Sequence, residues 1–179
     1  MTLSTAARHR PADRLHTVID SPVGPLTLVA ADDALVGLSM SEQRHAPAPG
    51  WFGEPSDGTD SEPLAQASRQ LREYFDGERT EFDIPLSLEG TEFQRRVWTA
   101  LREISYGETI SYGQLADRIG QPSASRAVGL ANGRNPVGII VPCHRVVGSD
   151  GSLTGYGGGI ERKRYLISHE QRVSGQTLA

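Results

Sequence analysis

The 179-residue chain has one cysteine, Cys143, so it can form no internal disulfide and no multi-cysteine zinc or iron–sulfur site. No apolar run approaches the roughly 18 residues of a membrane span, which reads as a soluble chain without a membrane partner. Residues 1–14 lack a continuous apolar core, which argues against a secretory signal. A lone free thiol suits a reducing, cytoplasmic setting. Lysine is almost absent as well: Lys163 stands alone beside 17 Arg. The glycine-rich stretch Gly155-Tyr156-Gly157-Gly158-Gly159 has neither dinucleotide-fingerprint spacing nor a Gly-Lys-Ser/Thr phosphate loop, so no cofactor is expected. It reads instead as a tight loop over a pocket.

Charge of one sign is scarce in each half in turn. Residues 1–90 carry 7 Arg against 15 Asp+Glu, and residues 91–179 carry 11 Lys+Arg against 7 Asp+Glu, within a net charge of −4. Such a split points to a polyanion-facing C-terminal half in an otherwise acidic protein, with uneven surface charge as the plain alternative.

The length allows one domain or two small ones. Residues 1–13 are polar and irregular and read as a disordered tail. Residues 14–90 read as an α+β domain. Alternation through Leu26, Leu28 and Ala30 and through Val36, Leu38 and Met40 predicts an antiparallel meander. Residues 41–63, rich in Pro, Gly and acids, read as a long mobile surface loop. Leu64, Ala67, Leu71 and Phe75 predict a helix from Pro63 to Phe75, and Phe82, Ile84, Leu86 and Leu88 a further strand.

Residues 91–173 change character. Thr91-Glu92-Phe93-Gln94 and Ser111-Tyr112-Gly113-Gln114 are capping boxes, each opening a helix. Ser123 is a candidate cap for the next helix, about Ala124 to Asn132. Short helices joined by Gly120-Gln121-Pro122 predict a helix-turn-helix, a unit that often sets its second helix against DNA.

The apolar run Val137–Val141 leads into Pro142-Cys143-His144-Arg145-Val146-Val147. A cysteine after such a run is by default a small buried hydrophobe. Adjacent His144 and Arg145 supply polar and positive neighbours that favour a thiolate. Asn135-Pro136 sets a turn before the run, and the glycines that follow can approach a ligand closely.

This motif resembles the active-site sequence of the O6-alkylguanine-DNA alkyltransferases. So does its setting: Thr109 to Gly113, Ser125 to Gly129, Asn132 to Pro136, Gly155 to Gly159 and His169-Glu170, in order over about residues 91–172. The resemblance implies an N-terminal sheet-plus-helix domain followed by a mostly helical, winged helix-turn-helix domain. It implies a single-turnover transfer of an alkyl group from O6 of guanine in double-stranded DNA to Cys143, by a monomer able to cluster on DNA. His144 would take the thiol proton through a water and Glu170 would orient it. The base would be extruded, with Arg126 filling the gap and Tyr112 crowding the 3′ phosphate. Asn135 would be the hinge, Val146 and Cys143 carbonyls and the Gly157 N–H would read the guanine, and Tyr156 and Lys163 would line the pocket, Lys163 aiding the leaving group. Gly157 departs from relatives that carry Ser there. No metal is implied, since the zinc site of some relatives needs further cysteines. Two alternatives stay open: a non-catalytic lesion sensor, which Cys143 speaks against, and a cysteine hydrolase, which leaves the helix-turn-helix unexplained.

Overall fold

The computed structural model describes residues 13–175. The expected tail, residues 1–13, lies outside the described residues except for Asp13. The chain divides into two compact units between Glu89 and Gly90. The fold is α+β, with a sheet-plus-helix unit followed by a mostly helical one.

In the first unit β1 (Arg14–Ile19), β2 (Leu26–Ala31) and β3 (Ala34–Met40) form the meander, and β4 (Glu54–Pro55) adds to β1 in parallel, giving the order β3-β2-β1-β4. Ser21 Oγ donates to Gly24 O at 2.6 Å and pins the β1–β2 turn. Asp32, with φ 53, makes the tight β2–β3 turn, a conformation Asp tolerates better than most residues. Helix α1 (Glu62–Phe75) buries Leu64, Ala67, Leu71 and Tyr74 and packs on the sheet.

Residues 41–63 depart from the single loop that their composition suggests. They contain a 3-10 turn at Pro49–Phe52 and strand β4. Trp51 and Phe52 pack against Val29, Ala31 and Val36. The Arg14 guanidinium lies 4.6 Å from the Trp51 ring centroid and donates to Trp51 O. A Cβ on Gly37 would come within 2.6 Å of the Trp51 ring, so glycine there makes room for the indole. Two aromatics in a proline-rich stretch thus supply the long-range contact that local pattern did not register.

The strand expected at residues 82–88 is reduced to one parallel bridge, Leu35 with Leu86. Ile84, Leu86 and Leu88 are buried, as the pattern requires, but Ser87 between the last two is buried as well, so the alternation is not kept. Pro85 has no N–H to extend a ladder, and Gln70 takes the backbone of Asp83 instead, accepting from its N–H at 2.8 Å and donating to its carbonyl at 3.0 Å.

In the second unit α2 (Glu92–Leu101) and α3 (Tyr112–Arg118) both begin in fully formed capping boxes, on Thr91 and Ser111. Strand β5 (Ile110–Ser111) pairs in parallel with β6 (Val146–Val147). Gly120, at φ 76, ends α3, and α4 (Ser125–Gly133) follows to complete the helix-turn-helix. Its N-cap is Ala124 without a side-chain hydrogen bond, so Ser123 does not cap it. Trp98, 1% exposed, donates its indole N–H to Ala131 O at 2.9 Å and ties α2 to α4. Helix α5 (Ile160–Val173) closes the unit. No helix among the described residues is long and apolar enough to cross a membrane.

Candidate active site

The apolar run before the cysteine is not a strand. Residues 137–141 fold into a compact turn, in which Val141 N–H donates to Val137 O at 3.0 Å and Ile140 N–H to Gly138 O at 2.8 Å. Ile139 has φ 71, a left-handed conformation that is a real outlier for a β-branched residue. Buried Val137, Ile139, Ile140 and Val141 over-determine it. Asn135 brackets the turn: its Nδ2 donates to Val141 O at 2.7 Å and its Oδ1 accepts from Val137 N–H at 3.0 Å.

The turn delivers Cys143 into a one-turn 3-10 helix, Cys143–Arg145. Cys143 is 7% exposed. Burial pushes its thiol pKa up, while a hydrogen bond from Asn135 and the charge of Lys163 pull it down, and the net direction is upward. Adjacent positive charge therefore does not make Cys143 a standing thiolate. Arg145, read from sequence as part of that positive surround, is committed elsewhere. Its Nε donates to Glu170 Oε1 at 2.8 Å, its Nη2 to Glu170 Oε2 at 3.1 Å and its Nη1 to Ile104 O at 2.6 Å.

His144 is fully buried, with Nε2 2.7 Å from Glu170 Oε2. Burial lowers its pKa despite Glu170 beside it, so the imidazole is neutral. Glu170 is held far below the usual carboxylate range: burial opposes the shift, but His144 and Arg145 together outweigh it. An ionised carboxylate can only accept, so the hydrogen-bond pattern assigns the proton of His144 to Nε2. Nδ1 is then the free base, and it is buried with no hydrogen-bond partner among the described residues.

Lys163 and Glu170 reach this centre from one face of α5, seven residues apart. Lys163 is fully buried rather than a solvated helix charge. Its Nζ donates to Thr154 O at 3.0 Å, and burial lowers its pKa to about 8. The same carbonyl accepts from Tyr112 Oη at 3.0 Å, and Lys163 Nζ lies 5.9 Å from the Tyr112 ring centroid. Tyr156 is half-buried, with its hydroxyl enclosed in hydrogen-bond reach of Cys143. Burial first, and Cys143 second, raise its pKa well above the ordinary phenol.

The structure therefore gathers Cys143, His144, Glu170, Asn135, Tyr112, Tyr156 and Lys163. Val146 is buried in β6, and Gly157 sits in the turn before α5. Arg126 stands apart, exposed in the first turn of α4. The Cys143 carbonyl, expected to be open to a guanine amine, already accepts from Val146 N–H and from Asn132 Nδ2. Sequence reading missed Asn132 as a contact of Cys143 and missed Arg145 as the second partner of Glu170. The signal for Arg145 was its place in the motif; for Asn132 it was a polar residue on the buried side of α4.

The second unit thus joins a helix-turn-helix to a buried cysteine, a histidine–carboxylate pair and a buried lysine, the pattern of a DNA-binding domain that carries a chemical site. The match to known proteins is specific. The DNA-binding domain of the 6-O-methylguanine DNA methyltransferases matches residues 92–172, and their ribonuclease-like domain matches residues 15–88. The chain belongs to the 6-O-methylguanine DNA methyltransferase family. The methylated-DNA–protein-cysteine methyltransferase of Mycobacterium bovis is 55% identical over 157 residues, 87% of this chain and 92% of that protein. Its namesake in Methanosarcina acetivorans is 47% identical over 156 residues, 87% of this chain and 97% of that one. The crystal structure of Mycobacterium tuberculosis OGT in complex with DNA aligns with a TM-score of 0.82 at 53% identity, covering 89% of this chain and 94% of that chain.

Proposed function

We infer that the chain is a methylated-DNA–protein-cysteine methyltransferase that repairs O6-alkylguanine in DNA, with Cys143 as the acceptor. The observation that carries the choice of acceptor is the relay behind it: a buried thiol followed by a neutral imidazole whose Nε2–H is locked on Glu170 at 2.7 Å. The lone cysteine and this pair speak against a sensor that only flags the lesion.

In the reaction the sulfur of Cys143 attacks the alkyl carbon, the S–C bond forming as the C–O6 bond breaks. The thiol proton passes through a water to His144 Nδ1, and Glu170 stabilises the imidazolium that results. The electron pair left on the base restores guanine once a proton is taken up. Lys163 is the cation beside the sulfur, able to offset charge both on the thiolate and on the departing base. The raised thiol pKa makes ionisation coincide with proton removal, which protects Cys143 from adventitious chemistry between lesions. A thioether is not a leaving group, so each molecule acts once.

The site lies in the C-terminal unit, residues 91–173, and cannot reach a base stacked in a duplex, so the nucleotide is extruded into it. Arg126 is the side chain placed to fill the vacated stack, being exposed at the start of α4. Tyr112, Asn135, Val146, Tyr156 and Gly157 are the pocket and backbone contacts for the flipped base. The partner is double-stranded DNA, bound by a monomer, and a cytoplasmic setting follows from a free thiol that must stay reduced.

The test is mass spectrometry after mixing with an O6-methylguanine duplex. One added methyl in place of a proton, about 14 Da by the chemistry of a thiolate nucleophile, is expected on the peptide containing Cys143. Tight lesion binding with an unmodified thiol would replace this reading with the sensor.

A further inference from the structure

The carbonyl of the nucleophile is gripped from inside the helix that faces DNA. Asn132 lies in the last turn of α4, 3% exposed, and its Nδ2 donates to Cys143 O at 3.3 Å. Arg126, Ala127 and Leu130 stand exposed on the outer face of the same helix, while Val128, Ala131 and Asn132 are buried on the inner one. The helix thus presents a DNA-facing surface on one side and holds the reacting residue's own peptide group on the other. We propose that Asn132 is a positioning residue, which fixes the approach of the Cys143 sulfur to the seating of α4 on DNA.

Two observations separate this from ordinary packing. The Oδ1 of Asn132 is buried and has no hydrogen-bond partner among the described residues. A buried, unpaired acceptor is destabilising, and an apolar side chain of the same size would not incur that cost, so stability alone does not account for an amide here. What the amide supplies is the Nδ2 donor. The second observation is that the grip is doubled but not redundant. Asn135 holds Val141 O at 2.7 Å from the irregular chain beyond the helix, whereas Asn132 holds Cys143 itself from within the helix. One contact shapes the turn, and the other ties the nucleophile to a rigid element.

The consequence is kinetic. A sulfur that approaches the alkyl carbon along a wrong line loses rate steeply, by up to about a hundredfold for a 1 Å misplacement. Loss of the grip acts on the transfer step and leaves the outer face of α4, and so DNA affinity, unchanged.

The inference rests on Cys143 as alkyl acceptor and is tested on the full chain with two variants in single-turnover assays. Asn132→Leu has no donor at any pH. Its transfer rate at saturating O6-methylguanine duplex is expected to fall roughly tenfold or more, by the sensitivity of reaction to alignment, with the dissociation constant for the duplex within about twofold of wild type. Asn132→Asp keeps the shape and can donate only while its carboxyl is protonated. Its rate relative to wild type is expected to fall as pH rises, the reverse of thiol chemistry, and to do so at pH values where its thermal unfolding temperature has not yet moved, whereas a merely structural role moves rate and stability together. Wild-type rates for both, or a loss confined to DNA affinity, would overturn the inference. If Asn132→Leu does not fold, a flat pH ratio for Asn132→Asp overturns it alone. Absence of methyl on wild-type Cys143 in the same experiment would instead remove the acceptor assignment.

Discussion

Glu170 Oε2 lies 2.7 Å from His144 Nε2, and the same carboxylate takes a forked pair of bonds from Arg145. One buried acid thus serves a cation, Arg145, and a neutral imidazole, His144. Arg145 keeps Glu170 ionised, and ionised Glu170 keeps the basic lone pair of His144 on Nδ1.

Replacing that acid with an amide separates the two duties. Glu170→Gln should lower the methyl-transfer rate about a hundredfold or more, the range of a lost acid–base relay. It should also leave the buried Arg145 charge uncompensated, at a cost of about 3–5 kcal/mol in urea unfolding. A stable variant with wild-type rate would remove Glu170 from the relay.

Acid should weaken the fold in two steps. The His144 pKa is depressed in the folded state from 6.5, so below that value the unfolded chain binds a proton the native one resists, and stability falls as pH drops. Glu170 is depressed from 4.5, so its contribution, present above that pH, is lost only on further acidification. Thermal unfolding of wild type and His144→Gln across this range should show the variant flatter in the upper step and, with one of the two partners of Glu170 gone, shallower in the lower step too. Identical slopes would mean that His144 is not buried neutral.

In the proposed mechanism Lys163 should set the alkaline side of the reaction. Its charge lowers the Cys143 pKa against the pull of burial. Lys163→Met should therefore displace the pH–rate profile to higher pH and slow transfer at neutral pH, with recovery as the thiol is titrated. In stability the sign is opposite. The lysine pKa is lowered from 10.5 to about 8, so wild type should gain stability as pH rises through that interval, and the Met variant should not. A wild-type pH–rate curve for the variant would place the charge too far from the sulfur to matter.

The outer face of α4 should matter for duplex alone. Arg126→Ala should slow repair in a duplex while leaving reaction with a free O6-alkylguanine base unchanged, because only the duplex requires extrusion. Leu130, 70% exposed on the same face, should behave likewise as Leu130→Glu, through lost duplex affinity. Equal slowing on both substrates would place these residues in catalysis or folding instead.

Much of this protein was legible in its sequence where the physics is local. Capping boxes at Thr91 and Ser111 specify helix starts within four residues, and both are present in full. Alternation through β2 and β3 and the spacing of Leu64, Ala67 and Leu71 specify the first unit in the same way. The contiguous motif around Cys143 pointed to a buried thiol beside a buried imidazole, and both are found, because neighbours in the chain are neighbours in space.

What only the tertiary structure decided lies where a residue's partner is distant in sequence. Trp51 and Phe52 turn an apparent loop into a packed element because a cluster on β2 and β3 receives them. Arg145 is a partner of Glu170, 25 residues on, and not a charge at the thiol. Lys163 is buried and Cys143 is held protonated because burial works against charge, and burial is a sum over the whole unit. Composition and spacing carry no record of that sum, nor of the Asn132 amide turned inward on the Cys143 carbonyl.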